Sequence, residues 1–206
     1  MLFRKLLLVL GLALFAGAPA HAVDDNLPPN VIAKRASEDV ITALAKDPAL
    51  TKDKPRALAF IDEKILPYFD FPAMTRLAVG RAWRDATPEQ QAKLTQEFRT
   101  LLVRTYSASL ETLKGSEMDF RPVNLAPNDK RAVVKGVVKR PGMQPLAFEM
   151  AVEKQPEGWR VYDLAIENLS LVTNYRSDFG NVVQRDGVNG LIKSLAERNG
   201  SAASSK

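Results

Sequence analysis

The chain has 206 residues, a formal net charge of +5, a single histidine and no cysteine. Its Lys and Arg residues are interspersed with Asp and Glu, which argues against nucleic-acid binding, because duplex-binding proteins concentrate basic residues in a stripe. The lack of cysteine excludes disulfides, thiolate catalysis and an acylated lipoprotein anchor, so burial of apolar surface must stabilise the fold.

Residues 1–22 have the features of a signal peptide, and the single histidine lies among them. Arg4 and Lys5 precede an apolar run over residues 6–16, and the small-residue pattern Ala20-His21-Ala22 follows. The run is much shorter than the roughly 20 apolar residues that cross a bilayer, so we expect export with cleavage after Ala22. The mature chain would then carry 27 basic and 24 acidic residues and no histidine, which favours a binding function over a reactive site.

Apolar residues recur at helical spacing through the first half of the mature chain. The pattern predicts helices over residues 31–46, 55–68, 70–80 and 87–115. Asp70 is placed to cap the third of these helices, which we expect to end near Gly80. The fourth has the strongest start signal, because Thr87 can serve as N-cap, Pro88 takes the first helical position and Gln90 follows three residues after the cap.

The period then changes from helical to alternating. Alternating runs over residues 117–125, 131–140, 146–154 and 158–166 are separated by clusters of turn residues, which predicts a four-stranded antiparallel meander. Helical patterns return over residues 171–183 and 187–195, and we expect the tail over residues 200–206 to be disordered. Helices, then strands, then helices indicate an α+β fold in which helices cover one face of a curved sheet.

Reactive motifs are scarce in this chain. It has no phosphate loop, no Gly-x-Ser-x-Gly and no calcium loop, so the remaining route to catalysis is a pair of carboxylates among Glu149, Glu153, Asp163 and Glu167. A solvated sheet face or structural caps are the simpler interpretation of these carboxylates. Aromatic and long apolar residues on the last predicted helices and strands are compatible either with an ordinary core or with a lipid cavity.

Two blocks of sequence resemble the MlaC family, also called toluene-tolerance or organic-solvent-tolerance auxiliary proteins. The C-terminal block consists of Trp159–Leu164, Ile166–Val172 and Asn174–Phe179; the upstream block consists of Pro67–Asp70, Arg81–Arg84 and Thr87–Gln90, with Phe98, Leu101, Leu102 and Tyr106. The resemblance extends over nearly the whole mature chain. One difference is visible: family members often have Glu-Gly-Val-Ser at the position of Glu167-Asn168-Leu169-Ser170, so we expect Asn168 to take a left-handed conformation.

The resemblance implies a periplasmic carrier of glycerophospholipid in a Gram-negative bacterium. Its partners would be an outer-membrane lipoprotein–porin complex and an inner-membrane ABC transporter with an MCE-domain ring, and its role would be to maintain outer-membrane lipid asymmetry. The implied fold is a helical lobe on a curved four-stranded antiparallel sheet, similar to nuclear transport factors, with acyl chains between the layers. Such a carrier needs no catalytic residue, no metal and no cofactor other than bound phospholipid; we expect a monomer that does not span the membrane.

These expectations assign residues 23–199 to one lipid-binding domain, with the helical lobe mainly over residues 27–115 and 171–198 and the sheet over 117–166. The residues predicted to line the acyl chains are Phe98, Leu102, Tyr106, Phe148, Met150, Trp159, Tyr162, Leu171, Val172 and Tyr175. The cations predicted at a wet mouth, near the phosphate, are Lys135, Arg140, Arg160 and Arg176.

Two other functions remain open from the sequence. A secreted hydrolase that works through carboxylates would turn over glycosides without bound lipid. A periplasmic chaperone or adaptor would bind client peptides and would have a filled core without an elongated cavity.

Overall fold

Helices pack on one face of an antiparallel sheet in the computed structural model, which describes residues 27–204 and their side chains up to residue 200. The helices are α1 (Pro29–Lys46), α2 (Lys54–Lys64), α3 (Phe71–Val79), α4 (Ala82–Asp85), α5 (Pro88–Tyr106) and α6 (Leu171–Ser204). The strands are β1 (Glu117–Phe120), β2 (Arg131–Lys139), β3 (Leu146–Gln155), β4 (Gly158–Ile166) and β5 (Leu169–Ser170), paired in the order β1-β2-β3-β4-β5. The predicted signal peptide lies outside the described residues.

The α+β prediction is confirmed, with two differences in the sheet. The meander has a fifth strand, β5, of only two residues, which the sequence did not predict. The first strand is shorter than predicted, because its ladder ends at Phe120 and Arg121 adds only one further bond, from its N–H to the Lys135 carbonyl. Pro122 follows and has no N–H with which to continue the ladder.

The predicted caps organise the helices that surround the site. The Asp70 carboxylate accepts a hydrogen bond from the Ala73 N–H at 2.8 Å and so starts α3. Thr87 and Gln90 form a reciprocal capping box at the start of α5. That helix ends at Tyr106 and gives way to a 3-10 turn over Ser107–Leu113, so the predicted helix to residue 115 is partly a tighter turn.

A sharp bend divides α6 into two arms. Gly187 has φ 70° and ψ −175°, a combination that is open essentially to glycine alone. The arms on either side correspond to the helices predicted over residues 171–183 and 187–195. The second arm continues to Ser204 and so includes part of the tail that was expected to be disordered. The domain limits at residues 23 and 199 stay a prediction.

The turn between β4 and β5 confirms the conformation expected of Asn168. Glu167 and Asn168 have φ values of 50° and 67°. Two consecutive left-handed residues make the tight hairpin turn whose twist matches that of antiparallel strands. The sequence did not indicate that Glu167 would share this conformation.

The largest group of buried side chains, here called the helical core, lies among α3, α5 and α6. Its members are Phe71, Met74, Ala78, Val79, Leu94, Phe98, Leu102, Val172, Phe179, Leu191 and Leu195. Phe98 lies at its centre, with its ring centroid 5.0 Å from that of Tyr175 and 5.1 Å from that of Phe179, both edge-on. The helical core therefore fills the space between these three helices.

A buried polar contact joins α5 to the end of α6. The Asn199 amide donates to the Glu97 carbonyl at 3.0 Å and to the Glu97 carboxylate at 2.7 Å, and Lys93 lies 3.0 Å from the same carboxylate. Burial by itself would raise the pKa of Glu97, but the hydrogen bonds from Asn199 and Lys93 outweigh it and hold that pKa below its ordinary value. Glu97 is therefore ionised in the folded protein at neutral pH.

Asn199→Ala is expected to lower the free energy of unfolding at pH 7 by about 1–3 kcal/mol, because a buried carboxylate loses a hydrogen-bond donor. A carboxylate with a lowered pKa contributes its stability above the unfolded pKa of about 4.3, and that contribution is lost as the pH falls through the folded pKa. The difference between the variant and the wild type should therefore narrow below about pH 4. Urea unfolding at pH 7 and pH 3 measures both effects, with the exposed Glu197→Gln as control; a difference independent of pH would contradict this role of Glu97.

Candidate functional site

A cavity of about 280 Å³ lies between α1 and the inner face of the sheet. From α1 it is lined by Pro29, Ile32, Ala33, Ala36, Ser37, Val40 and Ile41; from the end of α2 and the turn beyond it by Lys64, Ile65, Tyr68 and Phe69; and from the 3-10 turn after α5 by Leu113. The sheet contributes Met118, Val138, Leu146, Phe148, Met150, Val152, Trp159, Val161, Leu164 and Ile166. The walls are almost entirely apolar, which suits a hydrocarbon ligand.

Alternation along β3 places every second residue in the cavity. Leu146, Phe148, Met150 and Val152 line it, whereas Glu149 lies on the outer face, 2.6 Å from Lys135. This is the inner face that the sequence predicts for the third strand. Small residues on α1, such as Ala33 and Ala36, leave room above that face.

A β-bulge in β4 changes which residues reach the cavity. Val161 is opposite Val152, but Asp163 is opposite Ala151, so Tyr162 is one residue in excess. Trp159 and Val161 line the cavity before the bulge, and Leu164 and Ile166 line it afterwards. Strict alternation would have turned Leu164 and Ile166 to the other face.

The bulge also frees Asp163 to hold the start of α6. Its carboxylate accepts hydrogen bonds from the Ser170 hydroxyl at 2.6 Å and from the Val172 N–H at 3.1 Å. Asp163 therefore links the strand that lines the cavity to the last helix.

A glycine sets the position of one aromatic wall residue. Gly136 on β2 is paired with Phe120 on one side and with Phe148 on the other, and the two rings meet edge-on at 5.3 Å. A Cβ atom at Gly136 would lie 2.4 Å from the Phe148 ring and 2.5 Å from the Asp119 carbonyl oxygen. Only glycine leaves space for the ring at this end of the cavity.

Lys64 is the one charged residue among the described residues that line the cavity. It ends α2, half of its side chain is exposed, and its ammonium lies 2.7 Å from Glu63. The hydrogen bond and the charge of Glu63 raise the pKa of Lys64, so the ammonium is fully charged near neutral pH.

The predicted acyl-chain residues are divided among three places. Phe148, Met150 and Trp159 lie together on the cavity lining. Phe98, Leu102 and Val172 belong to the helical core, with Leu171 and Tyr175 packed against it. Tyr106 is exposed, and Tyr162 lies on the outer face of the sheet beneath the Arg131 guanidinium.

The predicted mouth cations do not line the cavity. Lys135 pairs with Glu149 on the outer face; Arg160 is half-buried and donates to the Trp159 carbonyl at 3.1 Å; Arg140 follows the end of β2; and Arg176 lies over Gly80. Contact with lipid by any of the predicted residues stays a prediction.

Sequence reasoning missed the contribution of α1. The helical spacing of Ile32, Val40 and Ile41 was visible, but the same pattern fits a helix packed against other helices. The alternation of small Ala33 and Ala36 with larger apolar residues is the only signal that could have indicated a wall with space beneath it.

The carboxylates weighed for catalysis have structural partners. Glu149 and Glu153 form cross-strand pairs with Lys135 and Arg131 at 2.6 and 3.1 Å on the outer face. Within residues 27–204, no set of three or more acidic, histidine or cysteine side chains comes together to hold a metal ion. Over the same range, no helix combines the length and apolarity needed to cross a membrane.

Comparison with known proteins identifies the family. The model of the family described as MlaC protein matches residues 34–197. A Haemophilus influenzae relative, named intermembrane phospholipid transport system binding protein MlaC, is 18% identical over 173 residues, which cover 82% of this chain and 81% of the relative. A solved structure from Ralstonia solanacearum, described as a phospholipid-binding protein in complex with a phospholipid, matches with a TM-score of 0.79 at 36% identity, covering 86% of this chain and 99% of that one. The resemblance seen in the sequence is thus confirmed, and the chain belongs to the MlaC family.

Proposed function

We propose that the protein carries a glycerophospholipid through the periplasm, with the acyl chains in the cavity between α1 and the sheet. The observation that supports this most directly is the composition of the cavity, in which Lys64 is the one charged residue among apolar walls. Family membership and the description of the Ralstonia solanacearum relative as bound to a phospholipid support the same ligand class.

The physical need for such a carrier follows from the cost of exposing acyl chains to water. Each buried methylene contributes about 0.8 kcal/mol, so a free diacyl lipid faces a barrier on the order of 20 kcal/mol between membranes. An apolar cavity removes most of that barrier without any reactive group. On this proposal the protein is a carrier and not an enzyme, and it holds phospholipid in place of a cofactor.

The proposal extends to location and partners. The pattern of residues 1–22 supports export, and the name of the Haemophilus influenzae relative supports a role in transport between membranes. We place this chain between an outer-membrane lipoprotein–porin complex and an inner-membrane ABC transporter with an MCE-domain ring, where it would help to maintain lipid asymmetry. We propose that Phe148, Met150 and Trp159, which line the cavity, contact the acyl chains. The residues of the helical core stabilise the fold without lining the cavity.

Native mass spectrometry of the exported protein, followed by organic extraction, tests lipid binding. We expect one phospholipid mass on the folded protein, and reloading of stripped protein from vesicles of phosphatidylethanolamine and phosphatidylglycerol. Protein that carries no phospholipid and acquires none from vesicles would refute the carrier function. Transfer between donor vesicles and the reconstituted inner-membrane complex then tests the shuttle step separately.

A further inference from the structure

Lys64 marks a boundary between the cavity and solvent. It closes α2 and contributes to the cavity lining, yet half of its side chain is exposed. A lysine in such a position lays its methylenes along apolar wall and keeps its ammonium in water. The part of a ligand that meets this ammonium is therefore the part that stays hydrated.

One carboxylate contacts the Lys64 ammonium, and a second acts on it at longer range. Glu63 Oε1 lies 2.7 Å from Lys64 Nζ. The hydrogen bond and charge of Glu63 and, more weakly, the charge of Asp39 on α1 raise the pKa of Lys64, which places both carboxylates within its electrostatic reach. Tyr68, another lining residue, acts on Lys64 in the same direction. The Lys64 ammonium at the rim of the cavity thus has one anion in contact and a second at longer range.

We infer that Lys64 and Glu63 form a subsite for a zwitterionic headgroup, with the lipid phosphate on the Lys64 ammonium, the headgroup amine on the Glu63 carboxylate, and Asp39 adding negative charge at longer range. The inference rests on the proposed function, because it assigns a place to the headgroup of the lipid whose acyl chains occupy the cavity. A phosphoethanolamine headgroup carries an anionic phosphate, which matches the Lys64 ammonium, and a cationic amine, which matches the carboxylate beside it. A phosphoglycerol headgroup has the phosphate but no amine, so its net negative charge is disfavoured near the carboxylates.

A polar recess next to the cavity is the competing position for the headgroup. It shares Ile41 and Met118 with the cavity lining. Its lysine, Lys34, lies 3.8 Å from Glu38 and belongs to the recess but not to the cavity wall. Lys64 is better placed, because it touches the apolar cavity and water at once.

Loading from vesicles that contain phosphatidylethanolamine and phosphatidylglycerol in equal amounts tests the subsite. We expect the wild type to extract more phosphatidylethanolamine. Lys64→Gln should lower the loading of both lipids by about two- to five-fold, the range of an exposed ion pair, because both carry the phosphate. Glu63→Gln combined with Asp39→Asn should lower only the share of phosphatidylethanolamine, measured by mass spectrometry of the extracted lipid.

Matched controls separate the subsite from general charge effects. Lys193→Gln and Glu197→Gln remove one member each of an exposed pair on α6, 3.9 Å apart, and should change neither total loading nor the lipid ratio. Three outcomes would overturn the inference while the carrier function stands. Lys64→Gln could load lipid as well as the wild type does, or Lys34→Gln could lose loading instead. The third is an unchanged lipid ratio in the variant with both carboxylates replaced. A wild type that loads no phospholipid would overturn both.

Discussion

Replacing Met150 with tryptophan is expected to remove bound phospholipid while the protein stays folded. Met150 is partly buried on β3 and faces the cavity, so the larger ring can enter space that no side chain fills. Returning only two methylenes of an acyl chain to water costs about 1.6 kcal/mol, which is more than ten-fold in affinity. Native mass spectrometry measures the occupancy, and urea unfolding of lipid-free protein measures the stability.

The opposite wall provides an independent version of this test. Ala36→Trp on α1 enters the same cavity and should have the same effect, whereas Ala92→Trp on an exposed position of α5 should leave lipid binding unchanged. Met150→Leu conserves volume and should also retain lipid. Full occupancy in both cavity variants would show that the acyl chains lie elsewhere, and a destabilisation of about 1–3 kcal/mol or more in Met150→Trp would show a filled core at this position.

Phe98→Ala is expected to destabilise the protein by about 3–5 kcal/mol, a large share of the roughly 5–15 kcal/mol that holds a typical domain together. Phe98 has no exposed surface and packs edge-on against Tyr175 and Phe179 in the helical core. Because it does not line the cavity, the molecules that remain folded should still carry lipid. Urea unfolding of stripped protein and native mass spectrometry of the folded fraction measure the two effects separately.

A graded substitution shows whether Phe98 acts through packing alone. Phe98→Leu leaves a smaller void and should be destabilised less than Phe98→Ala, with unchanged lipid occupancy. Loss of lipid without loss of stability would instead place Phe98 against the acyl chains, as the sequence pattern suggested.

Local signals in the sequence predicted the elements well because their causes are local. The Thr87–Gln90 capping box, the Asp70 cap and the left-handed Asn168 each depend on a few neighbouring residues. The alternation of β3 likewise identified Phe148 and Met150 on one face, and the structure places both on the cavity wall.

The choice of the helix that covers the sheet could not be predicted in the same way. The apolar faces of α1 and α5 look alike in sequence, yet Ile32 packs towards the sheet, whereas Phe98 packs against α6. That choice depends on contacts between residues far apart in the chain. The single extra residue at Tyr162 was equally hidden, because a bulge leaves the composition of a strand unchanged.

The bulge at Tyr162 divides β4 into two segments whose alternation is offset by one residue. Trp159 and Val161 line the cavity from the first segment, and Leu164 and Ile166 line it from the second. If β4 kept all of its residues but paired in strict alternation, without the bulge, Asp163 would replace Leu164 on the cavity wall, and α6 would lose its anchor in the same step. The register of this strand is therefore as necessary to the apolar wall as its composition, and hydrophobicity alone would not reveal a change in it.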